Sequence, residues 1–155
     1  MAITTNAICD TFKKELLQGS HDFDANGSGG DTFKLAMYTS SATLGKSTAN
    51  YSTNPGGGSN TEVTSPSGYT AGGKALVNSG VKVSSSIAIT DYADLSFQGV
   101  TLTARGALIY NTQTNGGSNT TDAVAVLDFG KTATSGTFTI QFPAFTTSAA
   151  ILRIA

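Results

Sequence analysis

The chain of 155 residues carries 9 Lys and Arg against 10 Asp and Glu, and charged residues make up only 12% of it. That balance leaves no basic stripe for phosphate neutralisation, so no nucleic-acid partner is expected. A single Cys excludes an internal disulfide, and a single His excludes a His-rich metal site.

Hydrophobic residues make up 39%, too many for a disordered chain. Thr, Ser, Gly and Asn take the place of the missing charges, so surface polarity must come from hydroxyls and amides. The length fits one domain over residues 1–155, able to bury roughly two thirds of its unfolded surface without a disulfide or metal. The opening residues Met1–Asn6 have neither a basic n-region nor an apolar h-region, so no secretory signal is expected. No run approaches the ~20 apolar residues of a membrane span, so no membrane partner is expected.

In chain order, an N-terminal arm and helix (1–19) come first. Residues 7–18 carry the only helical pattern, with Ile8, Phe12 and Leu16 on one face. Asn6 is placed to cap its start and Gly19 to stop it. The stripe is narrow, so the helix either closes one end of a sheet or docks on a partner through Lys13 and Lys14.

A sandwich is expected over 31–155. From residue 32 the period changes to two. Residues 32–38 alternate through Phe33, Leu35 and Met37. Val81, Val83, Ile87 and Ile89 share one parity, with a bulge or turn at Ser84–Ser86 between them. Residues 93–97 and 101–110 alternate again. Residues 123–129 are apolar on both parities and read as a central strand. Residues 137–142 and 152–154 complete the set, with Pro143 ending the former. Asn115–Gly117 suits a hairpin tip, and Asn54–Ser59 an exposed loop. About eight short strands with one N-terminal helix predict a mainly β, antiparallel sandwich or jelly roll.

Candidate chemistry is sparse. Asp22, Asp24 and Asn26, followed by Gly27, match the opening of a calcium loop, in which alternate oxygens and a turn Gly suit a hard cation. The twelfth position is Phe33 where a bidentate Glu belongs, so these residues are weak metal candidates, and Asx turns explain them equally well. His21 has no nucleophile elbow to serve, and Cys9 has only Lys13 nearby to favour a thiolate. Asp91, Asp94, Asp122 and Asp128 were weighed as paired glycosidase carboxylates, against edge-strand charges that discourage pairing. Gly68–Gly73 precedes a strand pattern, so no phosphate-binding helix start is supported. Arg105–Gly106 marks either a bulge or the close approach of another backbone. Tyr51 and Tyr110 are candidates for a sugar-binding surface. No catalytic residue and no cofactor is expected.

Several stretches together carry a family resemblance: residues 1–23, 31–41, 68–76, 103–111, 123–130, 136–143 and 150–155. The chain resembles small structural proteins of tailed bacteriophages. The departures are the loops 24–30 and 54–60, which are long and Gly-rich. The resemblance implies a non-enzymatic virion protein, made in the host cytoplasm. A separate chain starting at Met1, without repeats or heptads, favours a capsid decoration or cement protein over a fibre. Its expected partners are the major capsid protein or other virion proteins, and further copies of itself, a trimer being favoured. Ile3, Thr5, Lys13 and Lys14 are the expected docking residues. The alternative is a tail fibre, adhesin or tail accessory protein that binds carbohydrate through loops near Tyr51 and Tyr110.

Overall fold

Two long strands, β6 (Leu95–Asn111) and β7 (Ala123–Ile140), pair antiparallel and form the spine of the computed structural model, which describes residues 3–25, 28–64, 68–113 and 120–155. Around them lie β1 (Ala7–Ile8), β2 (Phe33–Tyr38) and β3 (Lys74–Ala75), giving a five-stranded sheet in the order β1-β7-β6-β2-β3. A second sheet has three strands in the order β4-β5-β8: β4 (Asn78–Ser84), β5 (Ile87–Tyr92) and β8 (Leu152–Ile154). The protein is mainly β and antiparallel, a sandwich-like pair of unequal sheets with one short N-terminal helix, α1 (Asp10–Leu17).

Local chemistry explains the boundaries. β2 and the first half of β7 are apolar on both parities because they are covered on both sides: Phe33, Leu35, Ala36, Met37 and Tyr38 are buried, as are Ala123–Val126. The four segments read as separate strands at 93–97, 101–110, 123–129 and 137–142 merge into β6 and β7. Register shifts after Phe97, Ala104 and Ile109 bend this ladder without ending it. Of the two alternatives at Ser84–Ser86, the turn is found, and it divides 81–89 between β4 and β5. Ser85 and Ser86 both have positive φ (51° and 61°) and form the two-residue hairpin turn between them.

The helix expectation needs one correction. Ala7 and Ile8 are not helical; they pair with Val126 and Ala125 as an edge strand. The helix begins at Asp10, with Cys9 at its N-cap and no side-chain cap. Asn6 is held elsewhere, its Oδ1 accepting the Asp128 N–H at 2.7 Å. The C-terminal stop is as expected. Gly19, at φ 71°, donates to Leu16 O and Ser20 donates to Glu15 O, a Schellman closure.

The core lies between the two sheets and beneath α1. Its aromatic centre is Phe23 stacked on Phe33 at 4.6 Å, with Phe12 edge-on to Phe23 and Tyr92 of the small sheet 5.9 Å from Phe33. Thus Tyr92 carries the small sheet's contact with the large one, and residues on its parity face inward.

Candidate functional site

The inner face of the small sheet does not end where the body beneath it ends. Tyr92, Thr90 and Ala88 alternate onto that face along β5. Register sets Val81 and Leu152 on either side of Thr90, and Val83 and Ile154 on either side of Ala88. Thr90 and Tyr92 are buried, but Val81, Val83 and Ile154 are 53%, 71% and 58% exposed. The sheet therefore overhangs the body, and among the described residues these three apolar side chains remain more than half exposed.

Beneath the overhang runs a groove of about 760 Å³, with β8 and Val81 on one wall and Ile8, Phe12 and Leu16 on the other. Leu17, 91% exposed, sits one helical turn beyond Lys13, itself a groove residue. Isolated exposed apolar residues are ordinary, whereas a contiguous set around a groove marks a contact surface. The other face of the small sheet is covered: Lys82 Nζ lies 4.0 Å over the Phe145 ring, and Arg153 Nη1 donates to Thr147 O and Ser148 O.

Two buried polar networks lie nearby, and both are structural in form. In the first, Asn111 fixes the state of His21. Asn111 Oδ1 accepts the Gln113 N–H at 2.9 Å, and its Nδ2 donates to Asp31 Oδ2 at 2.7 Å. The second amide hydrogen reaches His21 Nδ1 at 2.9 Å, so Nδ1 is an acceptor. The proton then sits on Nε2 and is donated to Glu15 Oε2 at 3.1 Å. This chain ties α1 to β6 through an imidazole enclosed by Phe12, Phe23 and Phe33. Among the described residues, the ring's hydrogen-bond partners are Glu15 and Asn111, neither of them a hydroxyl or thiol. Burial pushes the Cys9 thiol up to about 12, and the Asp10 carboxylate beside it adds to the effect, which removes it as a nucleophile at neutral pH.

The second network centres on Glu62. Its Oε1 accepts from the Tyr69 hydroxyl and the Gly72 N–H, each at 2.7 Å, and its Oε2 from the Tyr51 hydroxyl at 2.8 Å. The carboxylate is buried and folds the long β2–β3 excursion back onto the sheet. Burial, then the neighbouring Glu62 charge, raises the Tyr110 hydroxyl to about 12 and moves Tyr38 and Tyr69 further in the same direction.

The residues singled out in the sequence are scattered by the fold. Ile3 is not on a free arm: it is 1% exposed, its carbonyl accepts from Arg105 Nε at 3.0 Å, and its side chain packs over Gly106. Ile3 is core, which corrects its reading as a docking residue, whereas Thr4, Thr5 and Asn6 beside it are exposed. Thr5 is exposed and donates to Asn6 O. Lys13 and Lys14 are exposed, Lys13 ion-paired to Asp10 at 2.9 Å.

Tyr51 and Tyr110 are stacked on one another at 4.5 Å, their hydroxyls bound to Glu62 and Gly72 O. They form an internal stack, and the ring faces turned to each other are closed to a sugar. Asp22 and Asp24 are exposed; Asp22 Oδ1 accepts the Asp24 N–H in an Asx turn, and Asn26 lies outside the described residues. Among the described residues no three His, Cys, Asp or Glu side chains gather as a metal site.

The four carboxylates weighed for hydrolysis serve different partners. Asp128 pairs with Arg105 at 3.0 Å, Asp94 accepts the Phe142 N–H, Asp122 accepts from Asn50, and Asp91 accepts the Tyr92 N–H. Both readings of Arg105–Gly106 hold: the register shifts between Ala104 and Gly106, and a Cβ at Gly106 would fall on the Leu127 carbonyl.

Sequence reasoning missed the overhang. The parity of Val81, Val83 and Ile154 was visible, but alternation says which residues share a face and not whether anything lies opposite. Comparison with known proteins returns no match: no family model fits the chain, and no curated protein and no solved structure matches it.

Proposed function

We propose that the chain is a non-enzymatic structural protein of a tailed-phage particle, most simply a capsid decoration protein that binds the shell in many copies. The observation that carries the reading is the apolar overhang, Val81, Val83 and Ile154 above the α1 groove. It is a surface suited to contact with protein, on a scaffold whose buried Glu62 and His21 are held by internal hydrogen bonds. The stretches that resemble phage structural proteins supply the setting. Low charge, 12% of the chain, lets identical copies pack closely with little repulsion. A ligand specific for the assembled shell stabilises it by linkage.

Co-sedimentation of the purified chain with purified shells tests the proposal. Saturable binding, accompanied by a rise in the shell's melting temperature, is expected. Failure to bind shells, together with selective binding on a glycan array, would replace this reading by the adhesin one.

A further inference from the structure

We propose that the groove under the overhang is filled by a second copy of the same chain, so that the protein self-associates through Val81, Val83 and Ile154 of one copy and the α1 wall of another. The inference rests on the reading of the chain as a building block and names its partner at this surface.

Three observations select that occupant. The surface carries little net charge. The charged side chains at the groove are Lys13 and Asp22; Lys13 is already paired with Asp10, and the Arg153 guanidinium is held on the other face of the sheet. A highly charged partner therefore finds little to recognise, and an identical surface meets little repulsion. Next, the apolar walls stand on both sides of the groove, sheet above and helix below, so a convex apolar rim fits between them. The overhang supplies such a rim on the same molecule, with Val83 at 71% and Ile154 at 58% exposure. Finally, among the described residues β4 and β8 are the outer strands of the small sheet. An outer strand beside an apolar face is the arrangement that takes up another chain.

The size of the contact sets its strength. Three strands ~4.8 Å apart and about five residues long at ~3.3 Å per residue present roughly 240 Å² of flat footprint. The helix adds about 120 Å² at ~1.5 Å rise per residue and ~10 Å width. Both sides together fall short of the ~1,200 Å² at which standard stable interfaces begin. The association is therefore weak in dilute solution and becomes populated where copies are held side by side.

Analytical ultracentrifugation of the full chain over a concentration series tests the inference without any particle present. The expected result is a reversible rise in mean mass from the 15.7 kDa monomer toward a dimer or trimer. The double variant Val83→Glu/Ile154→Glu should remain monomeric across the series with an unchanged circular dichroism spectrum, since both side chains are solvent-exposed. A variant that associates as the wild type does overturns the inference. So does a wild type that remains monomeric at the highest concentration, even if the variant loses shell binding, because the occupant would then be the shell. Self-association of a chain that never binds shells would uphold this inference and remove the virion reading.

Discussion

At the scale of single residues, the structure depends on buried polar groups with defined partners, the Glu62 carboxylate above all. Replacing Glu62 by Ala strands the Tyr51 and Tyr69 hydroxyls and the Gly72 N–H together. Each orphaned donor costs about 1–3 kcal/mol, so Glu62→Ala should lose about 3 kcal/mol or more in chemical denaturation, and Glu62→Gln distinctly less. Burial raises the Asp91 carboxyl above its usual value. A carboxyl shifted upward by folding contributes stability below its unfolded value, near 3.8, and loses it as pH rises through the folded value. The wild type should therefore lose stability relative to Asp91→Asn as pH rises from about 4 toward neutrality. A difference that does not vary with pH would contradict this.

The tyrosines follow the same sign at alkaline pH. Tyr110 is raised from 10.0 to about 12, so its contribution is intact below pH 10 and is lost as pH climbs through about 12. Phenolate absorbance should appear together with unfolding, not before it. Cys9, raised from 9.0 to about 12, should react with a thiol reagent only as fast as the chain opens.

At the scale of elements, the N-terminal strand shows why some of the fold was hidden in the sequence. Ile8, Phe12 and Leu16 are spaced as a helical face, yet Ile8 belongs to β1, because pairing with Ala125 outweighs local periodicity. Phe33–Tyr38 and Leu152–Ile154 were legible as strands, since alternation or a continuous apolar run matches how each is covered. The length of β6 and β7 was not. Glycines at 99, 130 and 136 look like strand ends but adopt positive φ within one continuous ladder.

The segment before β1 carries a cost for trimming. Ile3 is buried over Gly106, so Ile3→Ala should destabilise by about 2–4 kcal/mol. Gly106→Ala, which drives a methyl group into the Leu127 carbonyl, should cost about 1–3 kcal/mol. Equilibrium denaturation checks both values. Of the residues singled out in the sequence, Lys13 lies at the groove, Ile3 and Tyr110 are buried, and Tyr51 is half-buried against Tyr110, placements set by packing that no local pattern records.

At the scale of the whole molecule, the sheets are unequal, and the smaller one runs past the body it covers. A closed sandwich would hide Val81, Val83 and Ile154; here they remain half exposed or more. The fold is thus complete as a core and incomplete as a surface, which is what a unit that finishes its packing against neighbours requires. The most direct test of that account is the copy number of the chain in purified particles, counted by quantitative mass spectrometry against the major capsid protein. The account predicts hundreds of copies per particle, in a fixed ratio to the shell subunit. A dozen copies or fewer, or none, would contradict it.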